Sequence, residues 1–257
     1  MKKIIYYLII ILLCIGLIYI YFKYIKEGFD NKTSVPLKIF QTWHTKNLPP
    51  KMKKCNDLLK KQNPEFSFYL YNDNDCREYI KKKFNADVVK AFDTLRPGAY
   101  KADLWRYCVL YKEGGIYIDI KYSCSNNFKL IKLIDNDYFV QDREPNSIYN
   151  GFIVCKPNNP IFLKIIKKIC NNCEKKEYSD NSLGVTGPTL FYKYFTKSMI
   201  ENNVTLQYSN DGMFIYDKKK NKSILKIYSE YRTEQTQYKS TEHYGKLWND
   251  RNIYNSL

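Results

Sequence analysis

Residues 114–121 read Gly-Gly-Ile-Tyr-Ile-Asp-Ile-Lys, and no other stretch says as much about the fold. Two adjacent glycines let the backbone turn with little steric cost. The run from Ile116 to Ile120 predicts a short buried strand, which places Asp119 at or near the carboxyl end of that strand. Ligands of open α/β sheets bind at this edge. The stretch therefore predicts a binding site that contains one acid and, two residues later, the base Lys121.

Strands and helices alternate ahead of this stretch. Residues 37–43 predict an opening strand, and residues 66–71 predict a second one. Helices are predicted over residues 51–62, 76–84, 88–92 and 99–112, the last of which leads directly into the glycine pair. This alternation predicts a Rossmann-like α/β domain with three α/β/α layers.

The helix before the glycine pair carries a second set of charged residues. Asp103 and Arg106 are three residues apart and therefore share one helical face. An intrahelical salt bridge, or a solvated face, would account for this spacing by itself. Because the same helix leads to Asp119, all three side chains can instead converge on one site. A carboxylate there can bind sugar hydroxyls, and an arginine can bind diphosphate oxygens.

The amino-terminal segment differs from the rest of the chain. Residues 4–22 are uncharged and apolar apart from tyrosines, and they follow Lys2 and Lys3. Such a segment is long enough to cross a bilayer as a helix, and its bulky far end disfavours a cleaved signal peptide. We therefore expect a cytosolic tail at 1–3, a transmembrane signal anchor at 4–22, a stem at 23–35 and a globular domain at 36–257. The flanking lysines favour a type II orientation with that domain in the lumen.

Composition excludes some classes of protein and leaves the partner open. The 257 residues are enough for one domain with a sizeable core, and no repeat of solenoid period is present. A net charge of +16 would suit nucleic acid, anionic lipid or a phosphorylated substrate. The lysines are scattered in short runs, which is typical of a solvated surface, and no nucleic-acid motif accompanies them. We therefore expect no specific nucleic-acid partner.

The cysteines do not define the compartment. One of the eight, Cys14, lies in the apolar segment, so an odd number remains for the globular part. Cys170 and Cys173 have zinc-like spacing, but no second such pair accompanies them. Ordinary thiols, a local disulfide and a zinc site all remain compatible with the sequence.

The segment from Tyr100 to Ile120 resembles the sugar-binding region of glycosyltransferase family 32. Four further segments resemble other parts of that family in the same order: an opening strand at 39–43, a later strand at 150–153, a loop at 185–188 and a segment with His-to-Trp spacing at 243–248. Five ordered matches across most of residues 36–250 are far more specific than any single one. The abundance of lysine, tyrosine and asparagine is also similar to that of giant-virus proteins, which would place the protein in host endomembranes.

The resemblance implies a GT-A fold and a membrane-anchored, retaining transferase. Such an enzyme moves a hexose from a nucleotide-diphosphate sugar to a glycan or glycoprotein acceptor. The resemblance implies catalytic roles for Asp103, Arg106 and Asp119. It implies a donor site in which Asp103 and Arg106 hold the sugar and Asp119 contacts the ribose. Further donor-binding residues would be Trp43 beside the base, Trp248 near the diphosphate, and Tyr117, Lys121 and Asn150.

Lys121 departs from the family pattern. The family usually has at this position a second acid, which binds a divalent cation. Replacing an anion by a cation there costs several kcal/mol of Coulomb energy at ~4 Å and an effective dielectric constant near 20. The implied cofactor, Mn²⁺ or Mg²⁺ with Asp119 and His243 as ligands, is therefore in doubt. The metal can still bind through those residues and the diphosphate, Lys121 can replace it, or the site can be inactive.

Two other functions remain compatible with the sequence. A catalytically inactive transferase-like domain that binds glycans or sugar nucleotides is favoured by Lys121. A basic, membrane-tethered interaction protein that binds anionic lipid or nucleic acid is favoured by the net charge.

Overall fold

The structure of the protein is a computed structural model that describes Gly16 and residues 35–256. The predicted tail, the predicted anchor apart from Gly16, and the predicted stem up to residue 34 lie outside the described residues. Among the residues described, no helix combines the length and the apolar character needed to cross a bilayer. From Val35 onward the chain forms one compact unit.

The strands and helices follow one another in a mixed order. The strands are β1 (Lys38–Thr42), β2 (Ser67–Tyr71), β3 (Gly115–Ile118), β4 (Tyr122–Cys124), β5 (Tyr138–Gln141), β6 (Ile148–Cys155), β7 (Leu206–Tyr208), β8 (Phe214–Asp217) and β9 (Lys222–Ile227). The helices are α1 (Pro50–Gln62), α2 (Asp73–Lys83), α3 (Ala86–Thr94), α4 (Gly98–Glu113), α5 (Pro160–Glu174), α6 (Pro188–Tyr192), α7 (Lys197–Asn203), α8 (Tyr231–Gln237) and α9 (Tyr244–Asn249).

All nine strands form a single mixed sheet in the order β2-β1-β3-β6-β5-β7-β8-β9-β4. Strand β1 pairs in parallel with both β2 and β3, whereas β3 pairs antiparallel with β6. Side chains alternate across β3, so Tyr117 joins one buried cluster and Ile116 and Ile118 join the other. The first cluster includes residues of α4 and α5, and the second includes residues of α1. The predicted α/β class is confirmed.

The predicted strand after the glycine pair is shorter than expected. It ends at Ile118 because the chain turns there: the backbone N–H of Tyr122 donates to the carbonyl oxygen of Asp119 at 3.2 Å. The N–H of Asp119 itself donates to the carbonyl oxygen of Gly151 at 2.8 Å. Asp119 therefore directly follows the strand, as predicted, but Lys121 lies in the turn and not on a continued strand.

Helix α4 is buried on nearly all sides. Every residue from Asp103 to Leu110 is buried, which is typical of a helix packed between other layers of a domain. The solvated helical face that the Asp103–Arg106 spacing allowed is therefore excluded. Both charged side chains lie inside the protein.

The cysteines of the described part are free thiols. Cys170 is partly buried and the other six are buried. Burial raises the pKa of Cys170 to about 11 and that of Cys173 to about 12, so both are protonated at neutral pH. The structure therefore supports ordinary thiols, and not the disulfide or the zinc site, for these residues.

The glycine pair ends helix α4 and begins β3. Gly114 has φ +61° and Gly115 has φ +99°, values that L-residues with side chains rarely adopt. A Cβ at Gly114 would lie 2.6 Å from the backbone nitrogen of Pro157, and one at Gly115 would lie 2.6 Å from the carbonyl oxygen of Lys38. The turn therefore requires glycine for conformation and for space.

We expect Gly115→Ala to lower the free energy of unfolding by at least about 2 kcal/mol, because both the backbone angle and the contact with β1 oppose a side chain. Gly98→Ala is a matched control, since its Cβ would meet nothing closer than 3.7 Å. Urea unfolding of the two variants and the parent protein measures the difference. Equal stability of the two variants would contradict the steric role of Gly115.

Candidate functional site

Asp119 occupies the point where β3 leaves the sheet. Its Oδ1 accepts a hydrogen bond from the Tyr117 hydroxyl at 2.9 Å, and its Oδ2 accepts one from the Tyr149 hydroxyl at 3.3 Å. Gly151 on β6 allows this approach, because a Cβ there would lie 2.5 Å from the Asp119 Oδ2 and would also overlap the Tyr149 hydroxyl. About a quarter of the Asp119 side chain, 23%, remains exposed and can reach a ligand.

Arg106 joins α4 to the strands on either side of Asp119. Its Nη1 donates to the carbonyl oxygen of Asn150 at 2.6 Å and lies 3.6 Å from the Asp119 Oδ1. Its Nη2 lies 3.3 Å from the Asp103 Oδ1. The guanidinium also stacks over the Tyr117 ring, 4.2 Å from the ring centre. Arg106 therefore forms the predicted intrahelical salt bridge with Asp103 and also converges on Asp119, as the alternative prediction required.

Asp103 is held by two neutral donors in addition to Arg106. The Asn150 side-chain amide donates to its Oδ1 at 2.9 Å, and the Thr186 hydroxyl donates to its Oδ2 at 2.7 Å. The same Asn150 amide also donates to the Tyr107 hydroxyl at 2.9 Å. These bonds fix the orientation of a buried carboxylate and link β6 and the 185–188 loop to α4.

Lys121 lies beside Asp119 and is almost completely buried, with 7% of the residue exposed. Its Nζ is 2.9 Å from the Asp119 Oδ2. The ammonium also lies 5.4 to 5.5 Å from the ring centres of Tyr122, Tyr149 and Tyr231. Aromatic rings attract a cation electrostatically, so this surrounding offsets part of the desolvation cost of the charge.

Helix α8 positions Tyr231 beside Lys121. The Glu234 carboxylate accepts hydrogen bonds from the backbone N–H groups of Lys51 and Met52, both at 2.8 Å, and so caps the first turn of α1. The Tyr228 hydroxyl donates to the same carboxylate at 2.9 Å, and the Tyr228 N–H donates to the Lys121 carbonyl oxygen at 3.3 Å. The carboxyl-terminal part of the chain thereby encloses the site.

The two carboxylates have opposite pKa shifts. Burial raises the pKa of Asp119, but the charges of Lys121 and Arg106 outweigh burial, so the pKa lies below its ordinary value. Burial raises the pKa of Asp103, and Arg106 with the hydrogen bonds from Thr186 and Asn150 offsets this only in part. Asp119 is therefore firmly ionised at neutral pH.

Within the described residues, neither the Trp43 nor the Trp248 indole N–H forms a hydrogen bond, so neither joins the hydrogen-bonded group around Asp103, Arg106 and Asp119. Trp43 follows β1, whose Phe40 pairs with Tyr117 of β3 in parallel, so Trp43 and Asp119 lie at the same edge of the sheet. Trp248 lies on α9 and packs against the first buried cluster. Both indoles are half-buried. Their predicted donor-binding roles stay predictions.

His243 serves as the amino-terminal cap of α9. It is exposed, and its Nδ1 accepts a hydrogen bond from the Gly245 N–H at 3.2 Å. Burial of part of the ring and the charge of Arg232 lower its pKa. One ring nitrogen is therefore already occupied by the cap.

The residues present do not fit the divalent cation that the motif implies. The Lys121 ammonium lies 2.9 Å from the Asp119 Oδ2, so it already neutralises the carboxylate, and it stands where a second acid is expected. His243 uses its Nδ1 as a helix cap. Within residues 35–256 no three His, Cys, Asp or Glu side chains form a group suited to a metal ion.

Five residues of the site were missed from the sequence: Tyr107, Tyr122, Tyr149, Thr186 and Tyr231. Thr186 belongs to a loop that resembles the family, and Tyr149 directly precedes Asn150, so both had a neighbouring signal. Tyr107 and Tyr122 directly follow Arg106 and Lys121, so they had the same kind of signal. Tyr231 had none, because its role depends on the packing of α8 beside Lys121.

The family comparison agrees with this geometry. Residues 49–140 match the family described as "glycosyltransferase sugar-binding region containing DXD motif". This segment is therefore similar to a glycosyltransferase sugar-binding region. The match includes Asp103, Arg106, Asp119 and Lys121, and the predicted kinship with glycosyltransferases is confirmed.

Individual relatives carry related names. The chain is 29% identical over 151 residues to inositol phosphoceramide mannosyltransferase 3 of Schizosaccharomyces pombe, a match that covers 57% of this chain and 40% of the yeast protein. It is 26% identical to an uncharacterized glycosyltransferase of Acanthamoeba polyphaga mimivirus, covering 67% and 70% of the two chains. It also resembles the solved structure of PaToxG glycosyltransferase, with TM-score 0.48, 19% identity and coverage of 65% and 70%. The chain thus spans less than half of the yeast relative.

The lowered pKa of Asp119 predicts a pH-dependent contribution to stability. This contribution is present above the unfolded-state pKa, near 4, and is lost as the pH falls through the lower folded-state value. Asp119→Asn should therefore lower the free energy of unfolding by roughly 2 to 3 kcal/mol at pH 7, because Lys121 and Arg106 lose their partner. The deficit should shrink toward pH 3. Denaturant unfolding at both pH values measures it.

Asp57→Asn is the control for this experiment. Asp57 forms an exposed pair with Lys53 on α1, so its loss should change stability by less than about 0.5 kcal/mol at either pH. An Asp119→Asn deficit that is the same at pH 7 and pH 3 would contradict the assigned shift.

Proposed function

We propose that the protein is a glycosyltransferase with a GT-A fold that moves a hexose from a nucleotide-diphosphate sugar to an acceptor hydroxyl. The observation that supports this most is the convergence of three residues of the matched segment, Asp103, Arg106 and Asp119, with Asn150 of β6 at one edge of the sheet. Carboxylates and an amide in such an arrangement suit the hydroxyls of a sugar, and the adjacent cations suit a diphosphate.

Different residues of the site would bind different parts of the donor. The Asn150 amide donates a hydrogen bond to Asp103, which orients both side chains, and both would bind hydroxyls of the hexose. Asp119 would bind the ribose with the exposed part of its carboxylate. Lys121 and Arg106 would stabilise negative charge on the departing diphosphate, an electrostatic contribution that needs no movement of the protein during reaction.

The transfer itself would retain the configuration of the anomeric carbon. The bond from that carbon to the diphosphate oxygen breaks, and its electron pair leaves with the diphosphate. The acceptor oxygen forms its bond on the same face of the sugar, and the acceptor proton passes to the departing diphosphate. The protein contributes positioning and charge, and no covalent intermediate is required.

The acceptor and location are part of the proposal. The apolar residues 4–22 support an anchor that would keep the domain in the lumen of an endomembrane compartment. A glycan or glycoprotein is the expected acceptor. The name of the yeast relative makes mannose the first hexose to test, and an inositol-containing sphingolipid the first alternative acceptor.

One observation favours a second candidate function, the binding of a sugar nucleotide without catalysis. Lys121 already neutralises Asp119, so the domain could bind a sugar nucleotide without turning it over. Binding without transfer or hydrolysis of any donor distinguishes this candidate from the transferase.

We expect the full-length protein to hydrolyse or transfer at least one common nucleotide sugar, and Asp119→Asn to reduce turnover by at least about 100-fold, because the site loses the anion that orders its two cations. Turnover of radiolabelled donors measures this. Asp57→Asn should retain activity. NMR of the first-formed product should show the anomeric configuration of the donor; inversion would contradict retention, and full activity of Asp119→Asn would refute the site assignment.

A further inference from the structure

Lys121 has more donor capacity than the protein uses. An ammonium has three N–H donors, and in the described part of the chain the Asp119 carboxylate is the only hydrogen-bonding partner of the Nζ. A nearly buried ammonium with two unused donors is costly unless other acceptors reach it. Phosphate oxygens of a ligand bound beside Asp119 would supply such acceptors.

Aromatic rings connect this ammonium to two arginines, one ring in the case of Arg232 and two stacked rings in the case of Arg143. The Arg232 guanidinium is 5.4 Å from the ring centre of Tyr231, whose ring also faces Lys121. The Arg143 guanidinium is 5.1 Å from the ring centre of Tyr208, which stacks at 4.4 Å on Tyr149.

The charges of Arg143 and Arg232 both act on Tyr208, which with Tyr231 forms the outer rim of the site. Burial raises the pKa of Tyr208, Arg143 and Arg232 oppose that rise, and Asp119 adds to it. Arg143, Arg232 and Asp119 therefore all act electrostatically on the Tyr208 hydroxyl. Both arginines are exposed.

Arg143 and Arg232 add positive charge to this side of the site, where the charge of Arg143 also acts on the carboxylates of Asp142 and Asp211. Arg106 pairs with Asp103, and Lys121 pairs with Asp119. Neither Arg143 nor Arg232 lies within 4.0 Å of an acid among the described residues. The Arg143 Nη1 donates to the carbonyl oxygen of Asn210 at 3.3 Å, and the Arg232 Nη1 donates to the Gln235 Oε1 at 2.8 Å. The other N–H groups of each guanidinium are available for an anion at the side of the site where Lys121 has free donors.

We propose that Lys121, Arg143 and Arg232 form a fixed cationic cradle for the donor diphosphate and make the transferase independent of a divalent cation. This inference rests on the proposed transferase function and on the misfit between the side chains present and a metal ion. Lys121 donates hydrogen bonds to the diphosphate oxygen that receives the electron pair, and the two arginines offset the remaining charge. The bonds made and broken are those of the transfer itself.

The first test compares four forms of the full-length protein in excess chelator and in Mn²⁺. The parent protein should show the same turnover in both within about twofold, because a fixed charge cannot be chelated. Lys121→Met should lose at least about 100-fold in turnover, and Lys121→Arg should retain more activity than Lys121→Met. Lys121→Asp restores an acid two residues after Asp119, so its turnover should depend on Mn²⁺.

Metal binding provides a readout that does not need activity. Mn²⁺ bound in the presence of a nucleoside diphosphate is visible by electron paramagnetic resonance. We expect Lys121→Asp to bind Mn²⁺ at least about tenfold more tightly than the parent protein, since removal of a cation and addition of an anion both favour the metal. Equal binding by the two proteins would contradict the proposal.

The arginines are tested by calorimetric titration with UDP and GDP in chelator. Arg143→Met and Arg232→Met should each weaken binding by about tenfold and reduce its dependence on salt, because each removes one exposed cation from the rim. Lys197→Gln is the matched control, since Lys197 is an exposed cation on α7, paired only with Glu201 one turn along that helix. Its substitution should leave binding unchanged.

The outcomes separate this inference from the proposed function. Nucleotide binding in chelator that Lys121→Met abolishes supports the cradle even if no donor is turned over, in which case the transferase proposal fails alone. Turnover that disappears in chelator and returns with Mn²⁺ refutes the cradle and leaves the transferase intact. Absence of nucleotide binding under both conditions refutes both. If thermal unfolding shows that Lys121→Met does not fold, Lys121→Arg and the two exposed arginine variants decide the matter.

Discussion

The buried guanidinium of Arg106 connects the helix and the two strands at the centre of the candidate site. A cation inside a protein is tolerated only when charges and hydrogen-bond acceptors surround it. Here α4 supplies the cation and Asp103, β6 supplies the Asn150 carbonyl oxygen, and the end of β3 supplies Asp119 and the Tyr117 ring. These partners come from distant parts of the chain, so satisfying one side chain fixes the relative positions of the helix and both strands. The glycines at 114, 115 and 151 make that approach possible by leaving space that side chains would fill.

A lysine in the motif changes how the site manages charge. A divalent cation can exchange with solvent and brings two positive charges, whereas Lys121 brings one and is covalently fixed. Its burial is offset by the Asp119 carboxylate and by three tyrosine rings. The arginines on the outer tyrosines would supply the remaining charge. On this view the cation that the motif would otherwise bind is built into the chain.

Local sequence signals predicted the first half of the fold well. Helix α1 begins one residue before its predicted start, at Pro50, and α4 extends only one residue beyond each predicted end, because proline, glycine and an apolar periodicity mark those boundaries. The strand after the glycine pair ended two residues early, since the turn at Asp119 depends on a hydrogen bond to Gly151 that no local pattern shows. The mixed nine-stranded order was likewise not predictable, because strand pairing between distant segments is set by tertiary packing.

The sequence by itself determined the α/β class, the family kinship and the identity of the central charged residues, because the ordered motifs and the spacing from Asp103 to Lys121 are local properties of the chain. It left open whether Asp103 and Arg106 form a surface salt bridge or part of a site. Only the tertiary structure decided that both are buried and joined to Asp119, because burial and convergence depend on how β6, α4 and the 185–188 loop pack around them. The tertiary structure also gave Lys121 its partners. A pairing of 2.9 Å with Asp119 inside a ring of tyrosines requires α8 to fold back over α1, which brings together residues more than one hundred positions apart.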